Sequence, residues 1–173
     1  MALYLILASL SMLFVGAMLG YIVIRRQSVH APPAGTLSLP WGLYVSTAII
    51  LISSVTMHAA VRAVRAERTA RFRRAMVLTL ALGLAFLAVQ APALVELLQT
   101  HHRERAGHLH LYGLVFVLVL LHAGHVIGGV LPLAVVTLRA MRGRYDHEQF
   151  APVRYTAIYW HFLDIVWVTM FLV

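Results

Sequence analysis

The chain contains no cysteine and no lysine, and only six of its 173 residues are acidic. Without cysteine there is no disulfide, no thiolate metal site and no covalent attachment of a c-type haem. There is also no Gly-rich phosphate loop, no Ser-His-Asp constellation and no pair of carboxylates that reads as an acid–base site. No catalytic residue and no resident metal site are therefore expected.

Charge is scarce too. Charged residues make up 12% of the chain and apolar residues 61%, with a mean hydropathy of +0.84. A soluble domain needs only about half its residues apolar, so the excess must face something other than water. It is gathered into runs at Ala2–Ile24, Trp41–Val61, Ala75–Val95, Leu109–Leu138 and Tyr155–Val173, the last interrupted by Asp164 alone. Each is long enough for the roughly 17–25 residues a helix uses to cross a bilayer, and a barrel would show short alternating segments in place of solid blocks. The expected fold is an all-α membrane bundle of five transmembrane helices, at about 2–24, 41–61, 75–98, 109–138 and 155–173, in one membrane domain spanning 1–173. Residues 1–24 have no basic leading segment and are too long for a signal peptide.

All fourteen basic residues are Arg, and their placement predicts topology. Ten flank the two connections on the N-terminal side (Arg62, Arg65, Arg68, Arg71, Arg73, Arg74, Arg139, Arg142, Arg144, Arg154), against four on the other (Arg25, Arg26, Arg103, Arg105). This bias places the N-terminus in the cytoplasm and the C-terminus outside, with Arg25 and Arg26 pulling the other way. The chain is accordingly expected to be a multi-pass protein of a bacterial inner membrane. Despite a pI near 10.8, no nucleic-acid partner is expected; the Arg sit at helix ends, where anionic lipid headgroups are the natural counterion.

The outer connection QSVHAPPAGTLSLP carries Pro32, Pro33 and Gly35, with Pro40 suited to a helix first turn. The Arg-rich stretch 62–74 reads as a short helical hairpin, and Pro92 and Pro132 should bend helices 3 and 4. Gly16-x-x-x-Gly20 and Gly124-x-x-x-Gly128 are candidate helix-packing positions, since small residues let backbones approach.

Polar residues at membrane depth are the candidates for function, because an ionisable group in hydrocarbon must face inward and find a partner. Asp164 and His161 share one face of helix 5 near its middle, and His122 and His125 share one face of helix 4. Gln90 lies in the outer half of helix 3, and Ser53, Ser54 and Thr56 lie in helix 2. Three readings are open for this set: hydrogen bonds between helices or to lipid, ligation of b-type haem by histidines as in small quinol-linked cytochromes, or a proton relay. Against haem, His122 and His125 crowd one face, and His161 is followed by Phe162 and Leu163 where a porphyrin would need small residues. His101, His102, His108 and His110 could form a Zn or Cu box, or simply a solvated interfacial loop alongside Glu96 and Arg103-Glu104-Arg105.

Four stretches then carry a resemblance. Y-W-H-F-L-D-I-V-W (159–167) is similar to the C-terminal W-H-F-x-D-x-V-W signature of subunit III of haem-copper cytochrome c and quinol oxidases. H-A-G-H-V (122–126) and L-I-S-S-V-T (51–56) resemble that family's segments on the preceding helix and on the second helix, and G-L-A-F-L-A-V-Q (83–90) fits the third more loosely. The chain thus resembles the short five-helix form of subunit III. It departs from the family where Leu10 follows Ala8-Ser9 and where Ala93 follows Gln90 by three, both positions usually glutamate; these departures leave open a divergent branch, such as the related helper proteins of nitric oxide reductases. The resemblance implies a non-catalytic accessory subunit that binds no haem or copper itself. It would pack against the catalytic subunit I of a terminal oxidase, which holds those cofactors, and would bind phospholipid. The absence of cysteine agrees, excluding the thiolates of a dinuclear copper site.

Overall fold

The computed structural model describes residues 2–27, 41–103, 109–143, 145 and 150–172. Five helices occupy them: α1 (Ala2–Gln27), α2 (Trp41–Arg65), α3 (Thr69–Arg103), α4 (Leu109–Met141) and α5 (Ala151–Leu172). All five are long and apolar enough to cross a membrane, and there is no strand among the described residues. The connection 28–40, including Pro32, Pro33, Gly35 and Pro40, lies outside them.

The helices overrun the expected spans, chiefly at the Arg-bearing ends: α2 continues to Arg65, α3 begins at Thr69 and α5 at Ala151. Hydropathy stops at the first charge, whereas an interfacial Arg keeps its backbone in the helix and sends its guanidinium to water. Pro92 and Pro132 both lie inside continuous helix.

The Arg-rich stretch is indeed a tight helical hairpin. Glu67 takes a left-handed backbone (φ 57°), with Glu67 N–H donating to Val64 C=O and Arg68 N–H to Ala63 C=O. This 5→2 and 6→1 pair closes the carbonyl end of α2. Gly143 (φ 69°) ends α4 in the same region of backbone space, where a residue without Cβ is least strained.

Helices α2 to α5 form a closed ring in which each packs on the next and α5 returns to α2. Its core contains Ile50, Met57, Met76, Phe86, Leu133, Trp160 and Trp167. Outside this ring, among the described residues α1 leans on α4 and α5, through Phe14 and Tyr21 against Leu118 and Val166.

Polarity is inverted relative to a soluble domain. Asp164 is 4% exposed while its neighbour Ile165 is 66% exposed. Ser46, Ser53, Thr79, Gln90, His122 and Thr137 are buried, and Leu51, Val55, Leu131 and Val135 lie outside. In hydrocarbon this is the stable arrangement, because aliphatic side chains lose nothing by facing lipid and polar ones do.

Candidate functional site

The strongest concentration of polar contacts is the seam where α5 meets α2. Residues 160 and 161 stand four and three before 164, and 167 three after it, so the four cluster toward one side of α5. Trp160 Nε1 donates to Ser53 Oγ at 3.1 Å, and Trp167 Nε1 donates to Thr47 Oγ1 at 3.0 Å. Between them His161 Nδ1 lies 2.8 Å from Ser54 Oγ. The α2 serines and threonines also reach α3: Thr56 Oγ1 and Thr79 Oγ1 are 2.8 Å apart, and Ser53 Oγ donates to Thr79 C=O at 3.5 Å. Hydroxyls suit this seam because each both donates and accepts, so one side chain joins two neighbours.

Asp164 sits beside the seam. Its Oδ2 lies 3.6 Å from His161 Nδ1, beyond hydrogen-bonding distance. Neither carboxylate oxygen has a hydrogen-bond partner among the described residues. The imidazole nearest the carboxylate is thus on its own helix and is anchored to α2 by Ser54.

The other histidines of the expected set stand on α4. His122 is enclosed by Phe14, Phe86 and Trp167, with ring centroids 6.2, 6.2 and 5.1 Å away. His125 Nδ1 pairs with Leu121 C=O at 2.7 Å, its ring packs on Phe14 at 5.5 Å, and its carbonyl accepts from Tyr159 O–H at 3.2 Å. Gln90 is buried with both amide atoms unpartnered among the described residues. The side chains of His101, His102, His110 and Glu96, and all of His108 and Glu104, lie outside the described part. Among the described residues no three His, Asp or Glu are grouped to hold a metal ion.

The close helix approaches fall away from the expected glycines. A Cβ built on Gly16, Gly20 or Gly124 meets nothing within 4 Å, and one on Gly128 meets only Tyr159 Oη at 3.9 Å. The tight positions are Gly83, against Trp160 at 2.7 Å, and Gly129, against Tyr159 at 3.0 Å and Leu163 at 3.1 Å. Neither stands in a G-x-x-x-G pair, so spacing on one helix could not reveal them. Thr47, Thr79 and the two indole N–H groups were likewise unread. Trp160 and Trp167, seven residues apart on the side carrying Asp164, were the available signal, since a buried indole N–H needs an acceptor.

Thr47→Val tests one rung of the seam. It keeps the shape, removes the acceptor for Trp167, and should cost about 1 kcal/mol. That is a fall of roughly 2–4 °C in the unfolding midpoint of a chain this size. Thr47→Ser should restore most of the loss in thermal unfolding of the detergent-solubilised chain.

Together, inverted polarity and a hydrogen-bonded interior define a polytopic α-helical membrane protein. The model of the family described as cytochrome c oxidase subunit III matches residues 4–173. The cytochrome c oxidase subunit 3 of Synechocystis sp. is 32% identical over 97% of this chain and 71% of its own length. That of Corynebacterium diphtheriae is 30% identical over 93% of this chain and 79% of its own. The probable cytochrome c oxidase subunit 3 of Nocardia farcinica is 32% identical over 95% and 81%. The chain belongs to the cytochrome c oxidase subunit III family.

Proposed function

We propose that the chain is a non-catalytic accessory subunit of a respiratory haem-copper terminal oxidase, which packs on the catalytic subunit, prolongs its working life and binds phospholipid. The observation that carries this reading is the seam itself: Trp160, His161 and Trp167 each use a ring nitrogen to join α5 to α2. Polar groups so engaged serve architecture. The aromatic enclosure of His122, with Trp167 centred 5.1 Å from it, supports a packing role for this histidine. In this reading iron and copper belong to partner subunits.

In this reading the protein lies in the bacterial inner membrane with its N-terminus in the cytoplasm. Five crossings bring the α2–α3 hairpin and the α4–α5 connection, with their ten Arg, to that side, where the membrane surface is anionic.

The test is Asp164→Asn in the tagged chain. It should leave insertion intact and reduce the co-purifying catalytic subunit several-fold, with a shorter turnover lifetime of the oxidase. Unchanged co-purification and lifetime would overturn the proposed role. Absorption spectra of the chain stripped of partners should show no Soret band.

A further inference from the structure

Two helices fix the depth of the α2–α5 seam independently. His161 stands at the middle of α5 (Ala151–Leu172) and Ser54 at the middle of α2 (Trp41–Arg65), each within about 2 Å of its helix midpoint at the helical rise. The two meet through His161 Nδ1 and Ser54 Oγ at 2.8 Å, so their shared depth is the centre of both spans. His161 is nevertheless open to the outside of the bundle, its side chain 34% exposed. Nδ1 is held by Ser54, with Asp164 Oδ2 3.6 Å away, whereas Nε2 reaches the surface with no partner among the described residues. His58 follows Ser54 by one turn on the same side of α2 and is exposed, with no hydrogen bond among the described residues. Standing about 7.5 Å from the middle of α2, it still lies within the hydrocarbon, whose half-thickness is about 15 Å.

Two imidazoles on one outer face run against the polarity of this bundle, in which the side chains turned outward around them, Leu51, Val55 and Ile165, are aliphatic. Acyl chains offer an imidazole neither donor nor acceptor, and from His161 the headgroups of either leaflet are a half-thickness away. No described helix covers the face: α1 packs on α4 and α5 and not on α2, and Ile165 and Val55 are 66% and 69% exposed. What satisfies such groups at this depth is another protein helix, since hydrogen bonds between side chains join helices within a membrane. The occupant must therefore carry polar side chains near the middle of its own span. An imidazole nitrogen suits either kind, because it donates or accepts according to its tautomer.

We propose that the α2–α5 face bearing Ser54, His58 and His161 is where a transmembrane helix of the catalytic subunit seats, its polar side chains meeting His161 Nε2 at mid-membrane and His58 nearer the Arg-bearing end. This rests on the accessory-subunit reading and adds the face that the contact uses. Ser54 then has two parts. It ties α5 to α2, and it holds the His161 ring by one nitrogen so that the other is presented to the partner.

A photoreactive benzophenone residue replacing Leu51 or Ile165, in the full tagged chain within its native membrane, should form a covalent product with the catalytic subunit on illumination. The same residue replacing Met12, Leu84 or Leu131, exposed positions of α1, α3 and α4, should give little or none. A yield at Leu51 and Ile165 no higher than at the other three would overturn the face while leaving the accessory role standing. Lipid adducts alone at those two positions, or a product of two copies of this chain, would overturn it as well. If the wild-type chain brings down no catalytic subunit at all, the accessory role itself fails and this inference goes with it. His58→Leu supplies a second reading. The isolated chain should keep its unfolding midpoint, because His58 bonds nothing within it, while the co-purifying catalytic subunit should fall several-fold. Unchanged co-purification would mean that His58 meets only lipid, and the proposal would be wrong.

Discussion

Trp160→Ala is expected to cost about 3–5 kcal/mol, the usual loss for truncating a fully buried aromatic residue. For a chain of this size that lowers the unfolding midpoint on the order of 10 °C. Trp160 is 1% exposed and lies in the middle of the ring, against Gly83 of α3 and Val130's layer of α4, while its Nε1–H reaches Ser53 of α2. Removing the indole therefore opens a cavity bordered by several helices. Lipid gives no hydrophobic drive to close it, because membrane helices associate largely through the packing being lost. Trp160→Phe keeps part of the volume, gives up the hydrogen bond, and should lose clearly less. Thermal unfolding of the purified variants measures both, and equal losses would show that the indole N–H, not the packed ring, dominates.

The five crossings were legible because hydrocarbon imposes a crude rule: around twenty apolar residues without charge, with every backbone group bonded inside the segment. That rule is blind to rotation. Runs such as Leu51–Ile52 and Ser53–Ser54 look alike to a hydropathy window, yet Ser53 is buried and Leu51 and Ile52 are exposed. The polar residues supplied the missing phase. Placing Ser53, Asp164, His122 and Gln90 inward orients four of the five helices, and each of these residues is indeed buried.

What could not be read was which polar groups meet. His161 and Asp164 share a face of α5, but the hydrogen bond of His161 goes to Ser54, more than a hundred residues earlier. Such pairings depend on helix depth and neighbour order, which one strand of text does not contain. Contacts of α1 were equally hidden. It holds few polar residues to orient it, a Cβ on either of its two spaced glycines meets nothing within 4 Å among the described residues, and its anchor is Phe14, an apolar residue among many. The family resemblance of 159–167 and 51–56 takes on a physical meaning here: the two motifs are the two sides of one seam.

Gly83→Val should be nearly as damaging as the loss of Trp160, for the opposite reason. Even a single Cβ at Gly83 would stand 2.7 Å from Trp160 Cη2 and 3.1 Å from Cζ2, distances that require one helix to move. The indole has nowhere to go, being buried and tethered to Ser53. Overpacking of this kind costs about 1–3 kcal/mol, with a branched side chain at the upper end. Gly83→Ala should still lower stability even though alanine in a helix interior is ordinarily favoured over glycine by about 1 kcal/mol. Gly16→Ala and Gly124→Ala, whose new Cβ atoms meet nothing within 4 Å, should in the isolated chain show that ordinary small gain. The sharper check is the double variant Gly83→Ala with Trp160→Phe. Phe withdraws the outer ring from the space the new methyl needs, so the two losses should fall well short of their sum, as they do for residues in direct contact. If they add, the two positions do not touch, and the α3–α5 register described here is wrong.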